Sequence, residues 1–279
     1  MVNTWNEESN LPRALASLVD WVDEIVVVDM HSEDRTRDVA TGFGARVYLH
    51  DCTDFVEPAR AFGVQRCTGD WILILDADEI VPGRLATRLC AIADQDRMDV
   101  VTVPRSNFLL GRPFRGGGWG PQQDQHPRFF RRGTLTFDER IHSKPAAVAG
   151  ARILELPPLE PATIVHFNYL SAAQVIDKLN RYTTIEAKQR FDRRAKQPTV
   201  SALLDAATEF LNRYVRLRGY RDGWRGVFMC AAMAFYRISI AVKLLELQQI
   251  GTEEDVKRRY DEIAAHTPRF ARQTSEAEQ

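Results

Sequence analysis

The chain reads as an α/β protein, a mostly parallel Rossmann-like sheet flanked by helices and followed by a helical C-terminal region. Three observations predict this. Short apolar or β-branched runs alternate with helical patterns through the first hundred residues. Two of those runs, Ile25–Val28 and Trp71–Leu75, stop at an acidic residue, Asp29 and Asp76. From Ser171 onward the periodicity turns helical.

Taken in order, Ser9 or Asn10 can cap a helix whose Leu11, Leu15, Leu18 and Val22 recur at helical spacing. Ile25–Val28 has the continuous β-branched character of a strand buried on both faces. Ser32 can cap a second helix, with Glu33 and Asp34 favoured by the dipole of its first turn and Gly42 at its end. Arg46–Leu49 predicts another strand, Pro58 the first turn of a helix ending near Gly69, and Trp71–Leu75 a third buried strand. Residues 105–170 are rich in Gly, Pro and Arg, with strand-like pieces at Arg128–Arg131 and Thr163–Phe167. They fit either cleft loops or an extension of the sheet, with Gly116–Gly118 as a flexible loop. Beyond them Val175, Leu179, Tyr182 and Ile185 line one helical face, and Leu203, Ala207, Phe210 and Tyr214 another. Thr252 with Asp255 makes a capping-box-like start for the last helix. The expected organisation is a catalytic unit over 1–170, a helical region over 171–266 and a polar tail over 267–279.

Composition narrows the function classes. With 44% apolar and 27% charged residues among 279, the chain is globular rather than disordered. Cys52, Cys67, Cys90 and Cys230 are scattered, which argues against a disulfide scaffold or a cysteine metal site and suits a reducing cytosol. The opening residues have neither the basic start nor the apolar run of a secretory leader. The near-zero net charge conceals an asymmetry. Residues 1–100 hold 19 acids against 9 bases, residues 105–152 hold 9 bases against 3 acids, and residues 178–225 hold 12 against 5. The first part can hold a cation, and the others can meet phosphate or an anionic lipid surface. Nucleic-acid binding has little support, since the basic stretches lack interleaved aromatics. Val227–Leu247 is apolar but interrupted by Arg237, Lys243 and Glu246, and its longest unbroken run, Val227–Tyr236, is too short to span a bilayer. A buried core helix is expected first, an interfacial one second.

The sharpest chemical signal is Asp76-Ala77-Asp78-Glu79 at the end of a buried strand. Open α/β sheets bind ligands at the carboxyl ends of their strands. Two carboxylates one residue apart can share a hard divalent cation with substrate phosphate oxygens.

Thr4-Trp5-Asn6-Glu7-Glu8-Ser9-Asn10-Leu11, Trp21–Asp29, Ser32–Thr36 and Gly69–Glu79, in that order and spacing, resemble the family 2 glycosyltransferases. The branch containing lipopolysaccharide-core β-1,4-glucosyltransferases is the nearest likeness. Gly118-Trp119, Arg128–Arg132, Ile141-His142, His166 and Lys178–Tyr182 are similar to later pieces of that branch. The resemblance implies a GT-A fold, a nucleotide-diphosphate-sugar donor (a UDP-sugar favoured) and inverting transfer assisted by Mg²⁺ or Mn²⁺. The implied acceptor is a lipid-linked or cell-envelope glycan, with the enzyme in the cytoplasm and its C-terminal helices touching the inner membrane face. It places Thr4, Glu7, Asp29, Arg60 and Asp76 at the donor. Asp78 would bind the metal, and Asp76 and His166 would approach it.

The resemblance also implies a carboxylate base after the D-x-D. The branch often shows His-Glu near Ile141, where this chain has His142-Ser143. Asp124 is favoured over Glu139 and Asp138. Two further departures stand out. The opening strand is reduced to Met1-Val2-Asn3, as though truncated, and Met30-His31 replaces the usual Asp or Ser followed by Gly. The rival readings are a nucleotide-sugar or phospholipid binding module without turnover and a haloacid-dehalogenase-like phosphatase. The phosphatase would need an acidic motif downstream, and no Asp-Asp pair occurs there.

Overall fold

The computed structural model describes residues 1–51, 57–137, 145–159, 162–195 and 199–267. The first four strands to meet in space are β1 (Val2–Thr4), β2 (Val26–Asp29), β3 (Arg46–Leu49) and the last part of the Trp71–Asp76 run. That run divides at Ile74 into β4 (Trp71–Leu73) and β5 (Leu75–Asp76). The parallel sheet has the order β3-β2-β1-β5, so the three-residue β1 is central to it. Its ladder begins at the chain's first residue, whose amine donates to the Leu73 carbonyl at 2.8 Å.

Helices α1 (Leu11–Ala16), α2 (Thr36–Gly42) and α3 (Glu57–Arg66) connect these strands. After β5, the turn Ala77-Asp78 leads into β6 (Glu79–Ile80) and α4 (Gly83–Gln95). Leu11 and Leu15 of α1 and Leu85 and Leu89 of α4 pack with Val27 on one face; Ala59 of α3 packs with Val26 and Val28 on the other. This is the double burial that the β-branched run predicts, since successive side chains leave a strand on opposite faces.

Two expected caps are corrected. Asn10 occupies the N-cap position of α1 without a capping bond; its amide donates to Glu7 instead. Ser32 lies outside α2, whose N-cap is Arg35, and binds Asp29.

The Gly/Pro/Arg-rich middle extends the sheet. Its strands are β7 (Val100–Leu109), β8 (Arg112–Pro113), β9 (Gln125–Arg131), β10 (Leu135–Thr136), β11 (Ala146–Ala147), β12 (Ile153–Glu155) and β13 (Ile164–Tyr169). The second sheet runs β4-β9-β7-β13-β6, with β8 and β12 also on β7, while β10 and β11 pair separately. The two sheets meet at the divided strand, where the Ile74 amide donates to the Arg128 carbonyl and the Leu75 amide to that of Met1.

The rest is helical: α5 (Ala172–Asp192), α6 (Thr199–Leu211), α7 (Gly223–Gln249) and α8 (Glu253–His266). A π-helical turn (Asn212–Arg216) and a 3₁₀ turn (Gly219–Asp222) join α6 to α7. Ser171 caps α5, and the Thr252/Asp255 capping box of α8 is present. The expected face of α6 is corrected. Ala202 and Ala206 are buried, whereas Leu203 and Ala207 are exposed. On α5 the buried residues are Val175, Thr183 and Ala187. Helix α7 is half core and half surface: Met229, Cys230, Ile240 and Leu244 are buried, while Trp224, Val227, Phe235 and Val242 form an exposed stripe at i+3/i+4-type spacing. Gly219–Gln249 is long and apolar enough to cross a membrane by length and composition, with a mean hydropathy of 1.7 in its most apolar window, but only a third of that window is buried.

Gly116–Gly118 forms a packed turn against the helical region rather than an open loop. Asp222 accepts the Arg115 and Gly116 amides at 2.9 Å, the Gly117 amide donates to Leu217 at 2.8 Å, and Arg213 donates to the Gly117 carbonyl at 2.8 Å.

Candidate active site

The parallel strands end in two loops that are laced together. The Asn6, Glu7 and Glu8 amides donate to Ser32 Oγ, Thr36 Oγ1 and Asp34 Oδ2 at 2.8, 2.8 and 3.1 Å. In return the Glu33 and Arg35 amides donate to the side chains of Asn6 and Glu8. Asn6 and His31 hold left-handed backbone conformations, φ 54° and 59°, a region that non-glycine residues rarely adopt and where Asn and His are enriched. His31 therefore occupies without glycine the position at which the resemblance led us to expect one. Asp29 is wholly buried, and its carboxylate accepts the hydroxyl and amide of Ser32 at 2.5 and 3.0 Å. Asp29, expected near the base and ribose, braces the loop through these two bonds. Thr4 is 2% exposed and its hydroxyl has no partner, and neither polar atom of the Asn3 amide has one. Buried polar atoms rarely go unpaired, so these orphaned atoms mark places for a ligand or water. Glu7 accepts from Asn10 at 2.7 Å; burial raises its carboxyl pKa, and nearby Asp78 adds to the rise.

The acidic turn separates into two environments. Asp76 receives Arg60 at 2.5 Å on one oxygen and Arg128 at 3.0 Å on the other. Burial opposes its ionisation, but Arg128, Arg60 and Arg105 outweigh burial and hold it well below the usual carboxylate range. Glu79 is fully buried, accepts the Asp76 amide at 2.8 Å, and pairs with Arg105 and Arg128 at 2.9 and 3.1 Å. Both Asp76 oxygens, expected to approach the metal, are engaged by arginines.

Asp78 faces His166, with Oδ2 3.2 Å from Nε2. Register explains the meeting. β13 pairs with β6 so that His166 lies opposite Glu79, and with β7 so that it lies beside Asn107. Asn107 Oδ1 is 2.6 Å from His166 Nδ1, and Asn107 Nδ2 donates to the Trp119 carbonyl at 2.8 Å and to Asp124 at 2.6 Å. Two obligatory acceptors at Nδ2 fix the amide's orientation, so Oδ1 accepts and Nδ1 carries the proton. Nε2 is left directed at Asp78. One carboxylate and one imidazole fit Mg²⁺ or Mn²⁺ with further oxygens from a substrate. Among the described residues, no group of three or more acids, histidines or cysteines could hold a metal by itself. For Asp78, burial is outweighed by His166, and the carboxyl pKa is lowered.

Asp124, expected as the base, is held by three side chains. Arg105 grips it through two nitrogens at 3.0 and 3.1 Å, Asn107 adds a bond at 2.6 Å, and His126 lies at 2.6 Å. Burial opposes ionisation, but His126 and Arg105 push the pKa far below the ordinary value. A general base needs a free lone pair and a pKa near the working pH. The Asp124 carboxylate ties Arg105, Asn107 and His126 together. Asp138 and Glu139 lie outside the described residues, as do Ile141 and His142.

The residues missed from sequence are Asn107, Arg105 and Glu79. Glu79 stood in the quoted motif as the third acid in four residues. Asn107 and Arg105 alternate with Ser106 on a strand and share one face.

A model of the family described as Glycosyl transferase family 2 matches residues 1–153. LpsC, a lipopolysaccharide core biosynthesis glycosyltransferase of Rhizobium meliloti, is 24% identical over 265 residues, covering 90% of this chain and 93% of that one. A TPR repeat-containing protein of Synechococcus elongatus is 41% identical over 107 residues, which cover 38% of this chain and 27% of that longer protein. Among solved structures, TarS residues 1–349 of S. aureus in complex with UDP aligns over 89% of this chain and 90% of its own, at 14% identity and a TM-score of 0.45.

Proposed function

Since the chain belongs to the family 2 glycosyltransferases, we propose that it moves a sugar, with inversion, from a nucleotide-diphosphate donor to a hydroxyl of a cell-envelope or lipid-linked glycan. Its fold is GT-A, and family membership sets aside the phosphatase alternative. The observation that carries the finer reading is the Asp78–His166 pair, whose histidine tautomer Asn107 fixes at the ends of the strands. Envelope chemistry is supported by the name of LpsC. A UDP-sugar is the favoured donor.

Asp78 and His166 would hold Mg²⁺ or Mn²⁺. A divalent cation bound there would supply stabilisation of the negative charge that grows on the departing diphosphate. Thr4, Glu7 and Arg60, the last held beside Asp76, line the donor side; the unpartnered Thr4 hydroxyl is the atom most in need of a ligand. The acceptor hydroxyl attacks the anomeric carbon from the face opposite the leaving group. Its proton goes to a carboxylate, for which Asp124, Glu139 and Asp138 are the candidates. Arg105 and Arg128 keep the acidic turn in place through Asp76, Glu79 and Asp124. The enzyme works in the cytoplasm against the inner membrane face. Exposed Trp224, Val227 and Phe235, with Arg218 and Arg221 nearby, suit an apolar surface with anionic headgroups.

The test is calorimetric titration of UDP-, GDP-, dTDP- and CMP-sugars, with and without Mn²⁺, on the wild type and Asp78→Ala. The expected result is one nucleotide class that binds with Mn²⁺ and is lost in Asp78→Ala. Tight binding of that donor without transfer to any glycan or to water would turn the reading into a module without turnover. Flotation with phosphatidylglycerol vesicles, compared between the wild type and Phe235→Glu, tests the membrane contact.

A further inference from the structure

We infer that Lys178 and Arg181, on the first helix of the C-terminal region, form the cationic wall that receives the diphosphate of the donor. This rests on the transferase reading above and adds to it a role for α5.

The chain itself delivers these residues to the cleft. β13 carries His166, Ser171 caps the following helix by accepting the Gln174 amide at 3.2 Å, and α5 then runs past the same edge. Lys178 Nζ lies 5.1 Å from the Tyr169 ring centroid, and its charge acts on both Glu7 and Asp78. One turn later the Arg181 guanidinium lies 5.5 Å from the ring of Trp5, the residue between the orphaned Thr4 hydroxyl and the Glu7 loop. Residues three apart on a helix share a face. The two cations therefore stand on one face of α5, Lys178 beside Tyr169 of the strand that carries His166 and Arg181 beside Trp5.

Their partners set them apart from the other cations here. Arg60, Arg105 and Arg128 are each tied to a carboxylate of Asp76, Glu79 or Asp124. Lys178 and Arg181 make no ion pair with any of the described residues; their contacts are aromatic rings. A cation over a ring keeps its N–H groups directed outward, where they can meet an oxyanion. Lys178 is half-buried and Arg181 exposed, so neither is locked into the protein interior. In the proposed site Asp78 and His166 would hold a metal ion. The complementary group is an anion with several oxygens that also reaches that metal, which describes a nucleoside diphosphate and not a neutral sugar.

The experiment compares UDP with uridine on the wild type, Lys178→Gln, Arg181→Gln and Lys178→Arg, by calorimetry with Mn²⁺ present; GDP, dTDP and CDP with their nucleosides replace the uridine pair if the donor panel selects them. The expected result is a roughly tenfold weaker affinity for the diphosphate in each Gln variant, about 1.4 kcal/mol. Affinity for the nucleoside stays unchanged, and Lys178→Arg retains most of the binding. Equal thermal midpoints would confirm folded variants, as expected for substitutions that remove no ion pair. The inference is overturned if the Gln variants bind the diphosphate like the wild type, or weaken nucleoside and diphosphate alike. It is overturned too if only the KM for a phosphorylated acceptor rises, which would make that acceptor the source of the anion. A wild type that binds no nucleoside diphosphate overturns the transferase reading and this inference together.

Discussion

Asn107 and His166 face each other across the paired strands β7 and β13, Oδ1 2.6 Å from Nδ1, and this contact decides which imidazole nitrogen meets Asp78. Such outer partners of a metal ligand set the tautomer and the ring angle. With Asp78 and His166 as the proposed ligands, Asn107→Ala is expected to weaken Mn²⁺ binding about 10- to 100-fold. Mn²⁺ titration in the presence of UDP measures it. An unchanged affinity would mean that strand pairing alone orients His166.

Asp124→Asn separates a clamp from a base. Loss of a base would reduce turnover and leave stability alone. Loss of a clamp leaves buried Arg105 with Glu79 as its closest acid, and removing one partner of a buried pair costs about 3–5 kcal/mol, the lower end applying here because Glu79 remains. Urea unfolding of the variant should show that loss. A full-stability variant with abolished turnover would restore Asp124 as the base.

His126 gives the protein a pH limb. Burial lowers its pKa below 6.5; Asp124 opposes the shift, while Arg105 and Arg128 add to it. The folded state thus resists protonation that the unfolded chain accepts, so stability is fully present above about pH 6.5 and falls as pH drops toward the lower folded value. One proton limits the slope to about 1.4 kcal/mol per pH unit. His126→Gln should flatten that limb in unfolding curves taken between pH 5 and 7, and an unaltered limb would assign it to other groups. Asp76 and Asp124, whose folded pKa values are depressed, withdraw their stabilisation only below about pH 4.

Gly226 lets α7 close on the 3₁₀ turn, since a methyl group there would overlap the Gly219 carbonyl. That carbonyl is backbone and cannot rotate aside, so Gly226→Ala is expected to cost 1–3 kcal/mol or more. Asp222→Ala should produce a similar loss by releasing the Arg115 and Gly116 amides. Chemical denaturation measures both. Wild-type stability in either would show that the helical region is not fastened at this turn.

The order of strands and helices was legible because each leaves a local pattern. Val26–Val28 needed both faces buried, and the acids after β5 needed only a strand end to stand on. Asp78 belongs to the same strand-end signal, whereas His166 rests on the family resemblance alone. Roles that depend on register could not be read. Nothing local says that Arg105 and Asn107 will lie beside Asp124, or that Arg128 will neutralise Asp76. The face of α6 was misjudged because periodicity weights large side chains, whereas α6 meets its neighbours through Ala202 and Ala206, where small residues allow backbones to approach.

The divided strand Trp71–Asp76 belongs to both sheets: the Ile74 amide is bound to Arg128 and the Leu75 amide to Met1. Opening either sheet must break a bond of the same two-residue step. In native-state hydrogen exchange these two amides should report a single opening event, at the highest protection of the catalytic unit, even though they lie in different ladders. The acidic turn that follows directly after them would inherit that slow clock. A donor could come and go many times within one opening of the floor on which it rests.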